Sequence, residues 1–71
     1  MSIDSKELQC RFTYHSPKGD QPKRYVEIRD KAHEFANAIL NRTHESREQS
    51  LALTALDECV MWANAAIARR E

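Results

Sequence analysis

Glycine, proline, cysteine and aromatic residues are all scarce in this sequence of 71 residues, which has one Gly, two Pro, two Cys and five aromatic side chains. The single glycine excludes a glycine-rich phosphate loop, because Lys18-Gly19 stands without the remaining glycines of such a motif. Cys10 and Cys59 form no CxxC pair, and Met1–Lys6 lacks the charged start and apolar run of a signal peptide. We therefore expect free thiols in a reducing cytoplasm.

Metal-binding and membrane-spanning patterns are also missing. The histidines His15, His33 and His44 are scattered and lie near neither cysteine, whereas a tetrahedral site uses Cys and His at short fixed spacings. His33-Glu34 begins like a zinc-protease motif, but Asn37 stands where the second histidine would be. No apolar stretch approaches the roughly 20 residues of a membrane span. The sequence predicts a soluble protein without a metal or another cofactor.

The charge balance disfavours one class of ligand. Eleven Lys and Arg against eleven Asp and Glu give a formal net charge of zero, whereas binding to long DNA or RNA draws on many phosphate contacts from a basic surface. A small phosphate ligand needs only a few local cations, so that class stays open.

The length limits what a single chain can bury. A domain near this size buries only about 60% of the surface of its unfolded chain, and its core supplies roughly 3 to 5 kcal/mol. Natural small domains add disulfides, a metal or oligomerisation, and the cysteine and histidine positions disfavour the first two. We expect one domain over residues 1–71 that oligomerises.

The low glycine content and the rarity of β-branched clusters predict an all-α fold. Asp4 and Glu7 resemble a capping pair, so residues 5–11 form either a short helix or a mere turn, and residues 1–11 are either a short helix or flexible. Residues 12–20 contain the only glycine and one proline, which predicts an ordered loop.

Two long antiparallel helices should follow, from the residue after Asp20 to about Asn41 and from Arg47 to about Arg69. Asp20 is a suitable N-cap, and Pro22 in the first turn costs no hydrogen bond. Ser46 with Gln49 predicts a capping box for the third helix. The second helix carries one apolar stripe with spacings of 3 and 4, formed by Tyr25, Ile28, Ala32, Phe35 and Ile39.

The third helix carries two apolar stripes on adjoining faces. The first stripe consists of Leu53, Leu56, Val60, Ala63 and Ile67. The second, called the Trp62 stripe here, consists of Ala52, Ala55, Cys59, Trp62 and Ala66. Pairing with the second helix covers only one stripe, so we predict that the Trp62 stripe is a subunit contact. The alternative is that the N-terminal segment folds over it.

No catalytic group is visible, because an enzyme needs a nucleophile with a base, paired carboxylates or a metal. Cys59 lies within an apolar stripe, which favours a core position over a nucleophile. Residues 11–31 hold six cations against three anions, a local charge of +3, with interleaved aromatics. Such a segment is usually a solvated face, but Tyr14, on the irregular loop, is the best candidate for stacking on a nucleotide base.

Three separated blocks carry a family resemblance that covers about residues 12–70. The first is Phe12-x-Tyr14-His15-x-Pro17-Lys18-Gly19-Asp20-Gln21-Pro22-x-Arg24-Tyr25 followed by Ile28-Arg29-Asp30-Lys31-Ala32, and the others are Ser46-Arg47-Glu48-Gln49-Ser50-Leu51-Ala52-Leu53-Thr54 and Val60-Met61-Trp62-Ala63-Asn64-Ala65-Ala66-Ile67-Ala68-Arg69. These blocks resemble the phage anti-CBASS cyclic-oligonucleotide sponge family, that of anti-CBASS protein two. The resemblance implies a non-enzymatic homohexamer, a trimer of dimers, in the cytoplasm of the infected bacterial host. The resemblance further implies that this hexamer captures cyclic nucleotide messengers without cleaving them.

The resemblance also implies site residues. Tyr14 matches the base-stacking aromatic of a cyclic dinucleotide pocket for ligands such as 3′,3′-cGAMP. Arg29 stands where the family places a cation, often Lys, against the phosphates, and Lys31 is a further candidate. For cyclic trinucleotides the resemblance points to Arg69 and Arg70, although cations at this place also complement a helix C-terminus.

A second function class stays open. A small helical regulatory or protein-interaction module would use the Trp62 stripe to bind a partner protein.

Overall fold

The computed structural model describes residues 3–71 and contains three helices, α1 (Ser5–Phe12), α2 (Gln21–Arg42) and α3 (Arg47–Arg70). No strand occurs within residues 3–71, and the predicted all-α class with a short N-terminal helix and two long helices is confirmed. Met1 and Ser2, which belong to the predicted single domain, lie outside the described residues.

A side-chain cap fixes the start of α1 but not the start of α2. The Glu7 N–H donates to Asp4 Oδ1 at 2.8 Å, so residues 5–12 form a helix rather than a mere turn. Asp20 precedes α2 as predicted, but its side chain makes no capping hydrogen bond. Its carboxylate instead lies 3.3 Å from Arg24 Nε, one turn further along.

The connection between α2 and α3 is closed by half of the predicted capping box. The Gln49 N–H donates to Ser46 Oγ at 3.1 Å. The Gln49 side chain does not return to Ser46, because its amide donates to Thr43 Oγ1 at 3.0 Å and to the Thr43 carbonyl at 3.3 Å. Thr43 Oγ1 donates in turn to the Ile39 carbonyl at 2.6 Å, which joins the end of α2 to the start of α3.

The two long helices form an antiparallel hairpin, since the start of α2 meets the end of α3. The first stripe of α3 faces α2, with Ile67 buried and its other members half-buried. Every member of the Trp62 stripe is exposed, and Trp62 itself is 63% exposed. The prediction that one stripe stays uncovered by α2 is confirmed. Cys59 is therefore exposed in the single chain, and its expected core position is wrong.

One position of the α2 stripe was misassigned. Tyr25, Ile28, Ala32 and Ile39 are half-buried as predicted, but Phe35 is 59% exposed and Ala36 is half-buried in its place. Both residues continue a helical spacing from Ala32. The approach of α3 selects the smaller side chain for the contact.

Helix α1 docks only against the C-terminal end of α3. The Cys10 thiol donates to the Arg69 carbonyl at 3.4 Å, and Arg70 donates to the Glu7 carboxylate. The described part of the N-terminal segment, residues 3–12, therefore leaves the Trp62 stripe exposed.

The single chain is far less compact than its length predicts. Its radius of gyration is 15.5 Å, against about 11 Å for a compact domain of this length. Its accessible surface is 6032 Å², about 1500 Å² more than the scaling for compact monomers of 8.2 kDa gives. Among residues 3–71 only Gln21 and Ile67 are buried. A large apolar surface is thus available to a partner.

Helix α3 is long and apolar enough, by length and composition alone, to cross a membrane. The sequence-based statement that no stretch approaches a membrane span is therefore wrong for this helix. Asp57 and Glu58 lie near its middle, where a charged side chain in a bilayer costs about 2.5 to 3.5 kcal/mol. Because its first stripe packs on α2, we interpret the apolar character of α3 as helix-packing surface.

The Gln21 side chain connects the start of α2 to the end of α3 by a hydrogen bond. It is 4% exposed, its amide donates to the Ile67 carbonyl at 3.2 Å, and its Oε1 accepts the Lys18 N–H at 3.0 Å. We expect Gln21→Ala to lower the free energy of unfolding by about 1 to 3 kcal/mol, because the Ile67 carbonyl and the Lys18 N–H lose the Gln21 side chain as a partner. Urea unfolding at one fixed protein concentration measures this change.

The matched control is Asn37→Ala on the exposed face of α2, which should stay within about 0.5 kcal/mol of the wild type. Equal stabilities of the two variants would mean that the Gln21 hydrogen bonds do not hold the helix ends together.

Candidate functional site

The connection between α1 and α2 presents the most exposed aromatic side chains of the described residues. Tyr14 is 82% exposed and Phe12, at the end of α1, is 84% exposed. Neither ring is used by the packing of this chain. An exposed aromatic ring on a fixed backbone is available for stacking on a planar ligand.

Hydrogen bonds hold the loop of residues 13–20 at both ends, which agrees with the ordered loop that the sequence predicts. At its start, a ring nitrogen of His15 lies 2.7 Å from the Cys10 carbonyl oxygen. At its end, the Gln21 N–H donates to the Lys18 carbonyl at 2.9 Å, closing a turn. Gly19 occupies this turn with a φ of +54°, a conformation that side chains with a Cβ rarely adopt. The only glycine thus stands where the backbone requires one.

Arg29 and Lys31 lie on opposite sides of the hairpin. Arg29 borders an open groove of about 510 Å³ together with His33 and Asp57. Lys31 borders a groove of about 480 Å³ on the other side, together with Phe35 and Cys59. Both cations are exposed, and neither forms a salt bridge within residues 3–71. A single chain does not bring the two cations into one pocket.

Arg70 is held by a carboxylate of α1. Its two terminal nitrogens donate to the two oxygens of Glu7 at 3.0 and 2.6 Å, a fork geometry specific to arginine. Arg11 Nε also donates to Glu7, at 3.3 Å. The hydrogen bond from Arg70, opposed by partial desolvation and reinforced by Arg11, lowers the pKa of Glu7 from 4.5 to about 2. The same pairing raises the pKa of Arg70.

Arg69 differs from its neighbour in being unpaired. Its side chain has no hydrogen bond or salt bridge to any residue in the range 3–71, although its carbonyl accepts the Cys10 thiol. It borders both the groove beside α1 and a small groove formed with Trp62 and Ala66. Arg70 borders the same two grooves and is the more exposed of the two, so Arg69 is distinguished only by having no ion pair within the described residues.

A second ion-pair cluster lies where α2 begins. Arg24 forms a forked pair with Glu71 and a further pair with Asp20, and Lys18 Nζ donates to the Glu71 carbonyl at 3.2 Å. The hydrogen bond from Arg24 lowers the pKa of Glu71, and the reverse effect raises the pKa of Arg24.

These pairs reduce the basic character that the sequence assigned to residues 11–31. Arg11, Lys18 and Arg24 all bond to oxygen atoms of Glu7, Asp20 or Glu71. Lys23, Arg29 and Lys31 form no salt bridge within the described chain. Across residues 3–71, no group of three His, Cys, Asp or Glu side chains is placed to hold a metal ion.

The Glu7–Arg70 pair makes the docking of α1 dependent on pH. A carboxyl with a lowered folded pKa contributes stability above its ordinary value of 4.5 and loses it as the pH falls through about 2. We expect α1 to detach from α3 within this window while α2 and α3 stay helical. The Cα chemical shifts of residues 5–12, recorded from pH 7 to pH 1.5, measure this detachment.

Glu7→Gln should remove the transition, since the glutamine cannot titrate. Glu34→Gln, at an exposed position of α2, should retain it. A transition that persists in Glu7→Gln would assign the pH response to another carboxyl.

Comparison with known protein families gives one match. A family model described as Acb2/Tad1, hairpin domain, matches residues 6–68. The matched range contains nearly all of α1, the Tyr14 loop and both long helices, and it ends just before Arg69. No curated protein and no solved structure matches the chain.

Proposed function

Because the chain belongs to the Acb2/Tad1 hairpin-domain family, which suggests an anti-CBASS role as a cyclic-nucleotide sponge, we propose that it binds cyclic di- and trinucleotides and withholds them from host immune effectors without degrading them. The family match over residues 6–68 is the observation that carries this proposal. The exposed Tyr14 ring on a fixed loop supports it, because a base can stack there without displacing the core.

The dinucleotide pocket is proposed to lie between two copies of the chain. A cyclic dinucleotide has approximate two-fold symmetry, and an isologous contact supplies every side chain twice. Nanomolar binding requires about −12 kcal/mol, more than one stack and one charged contact give after the costs of association. Two copies contribute two Tyr14 rings, and they allow Arg29 of one groove or Lys31 of the other to face the phosphates.

The proposed assembly is a homohexamer built as a trimer of dimers. A standard interface buries about 800 Å² per partner, so the surplus of about 1500 Å² on each chain is close to the area of two such contacts. One contact would lie on a two-fold axis and the other on a three-fold axis. The proposed partners are further copies of the chain and the cyclic messengers. We include no long nucleic acid and no membrane among them, and we propose that the protein acts in the cytoplasm of the infected bacterial host.

The three-fold pocket is proposed to use Arg69 more than Arg70, since Glu7 already holds Arg70. A hydrogen bond to a charged group is worth about 1.5 to 3 kcal/mol, so Arg69→Ala should weaken binding of a cyclic trinucleotide about tenfold or more. Binding of 3′,3′-cGAMP should not change. Isothermal titration with each ligand separates the two effects.

Arg42→Ala, at the other end of the hairpin, is the control for loss of one exposed arginine. A larger loss of trinucleotide affinity in Arg70→Ala than in Arg69→Ala would reverse the assignment of the two cations.

Two measurements test the sponge function itself. Calorimetric titration with 3′,3′-cGAMP should give saturable binding, and the absence of heat and of a thermal shift would reject the dinucleotide proposal. Denaturing the complex should release the intact cyclic messenger. Linear products would instead identify a phosphodiesterase.

A further inference from the structure

Neighbouring side chains in the loop point to different environments. Tyr14 is 82% exposed, whereas His15, the next residue, is half-buried. The preceding residue, Thr13, has an extended backbone with φ −108° and ψ 139°. The two adjacent side chains therefore face different surroundings. A contact that holds His15 also restricts the backbone from which the Tyr14 side chain extends.

The His15 ring has a defined partner on α1. Its Nε2 lies 2.7 Å from the Cys10 carbonyl oxygen, which is one of the last four carbonyls of α1. These carbonyls have no partner inside the helix, so an N–H from outside satisfies one of them. As the carbonyl only accepts, Nε2 carries the proton in this contact.

The acceptor of this hydrogen bond is itself fixed to the rest of the fold. The Cys10 thiol donates to the Arg69 carbonyl, and the Glu7–Arg70 pair holds the preceding turn of α1. At the other end of the loop, the Lys18 N–H is held by the Gln21 side chain, which also reaches α3. Tyr14 thus lies between two anchors, and His15 is the nearer one.

We propose that His15 is a positioning residue for ligand binding, which holds the loop backbone at Tyr14 in place by donating to the Cys10 carbonyl. A backbone that is already held loses less conformational freedom when a base stacks on the Tyr14 ring, so the bound state is reached at lower entropic cost. This inference rests on the proposed role of Tyr14 in binding a cyclic dinucleotide.

Two substitutions of His15 test the hydrogen bond separately from the ring. His15→Phe keeps a ring but has no donor, and His15→Gln keeps an N–H donor of similar reach. We expect His15→Phe to weaken 3′,3′-cGAMP binding about tenfold, since each of two copies loses one net hydrogen bond. His15→Gln should restore most of the affinity. His44→Phe, in the distant connection between α2 and α3, is the matched control and should bind as the wild type does.

A double-substitution cycle tests whether His15 acts through Tyr14. In a Tyr14→Ala background, His15→Phe should cause no further loss of affinity, whereas a general structural effect would persist. The ¹⁵N order parameters of residues 13–16 without ligand give an independent measurement. They should fall in His15→Phe and stay as in the wild type in His15→Gln.

The inference is overturned if His15→Phe binds as tightly as the wild type, if His15→Gln fails to restore binding, or if the order parameters of residues 13–16 are unchanged in His15→Phe. Failure of the proposed function looks different, because the wild-type protein then binds no cyclic dinucleotide. In that case the order parameters of residues 13–16 still decide whether His15 holds the loop.

Discussion

Replacing Tyr14 with alanine should lower the affinity for 3′,3′-cGAMP by about thirtyfold or more and should leave the fold and the proposed assembly intact. Stacking of one base on an aromatic ring is worth about 1 to 3 kcal/mol, and a pocket between two copies loses two such contacts. A loss of at least about 2 kcal/mol corresponds to the stated factor. Folding is unaffected because the ring is 82% exposed. Calorimetric titration measures the affinity, and light scattering after size exclusion measures the mass.

Phe12 provides a matched control for this experiment. It is equally exposed at 84%, lies two residues earlier and is also aromatic, so Phe12→Ala removes a similar apolar area. We expect it to bind as the wild type does, and Tyr14→Phe to retain most of the affinity because the ring remains. If Phe12→Ala lost binding while Tyr14→Ala bound normally, the stacking ring would be Phe12, which would contradict the proposed role of Tyr14.

Most of the fold was predictable because its signals are local. The capping residues Asp4 and Ser46, the turn at Gly19 and the spacing of the apolar stripes all act within a few residues of the chain. The exposure of the Trp62 stripe followed from simple geometry, since one partner helix covers one stripe. The choice between Phe35 and Ala36 did not, because both satisfy the helical spacing and only the approach of α3 distinguishes them.

The candidate site was less predictable because its electrostatics depend on distant partners. Glu7 pairs with Arg70 across 63 positions, and Glu71 pairs with Arg24 across 47. No local sequence pattern predicts these pairs. Because they neutralise part of the cations in residues 11–31, the net charge of +3 overestimates how basic this surface is.

One feature of the site was available in the sequence and was missed. Arg29 and Lys31 are two residues apart on a helix, which places them roughly 200° apart around its axis. They border different grooves for this reason. Grouping them in a single pocket requires a second copy of the chain, as in the trimer of dimers that the family resemblance implies.

Replacing Trp62 with alanine should weaken assembly and messenger binding together. The Trp62 indole N–H donates to Glu58 at 3.2 Å, so its polar edge is satisfied while the ring is 63% exposed. A buried tryptophan at the centre of an interface is typically worth 2 kcal/mol or more, and the small residues Ala55 and Ala66 beside it permit close approach of another helix. Each contact that buries this ring should weaken about thirtyfold.

Met61→Ala is the control that distinguishes an effect of the Trp62 stripe from the general effect of removing an exposed apolar side chain. Met61 is the neighbouring residue, 64% exposed, and lies outside the Trp62 stripe, so Met61→Ala should keep the mass of the assembly. Light scattering at micromolar concentration measures that mass, and titration of 3′,3′-cGAMP on the same samples measures binding. Because the proposed pocket takes Tyr14 from two copies, a variant that dissociates must also release the ligand. A Trp62→Ala protein with unchanged mass and affinity would contradict the coupling of assembly to messenger binding through the Trp62 stripe. A monomeric wild type would instead favour a different protein as the partner of this stripe.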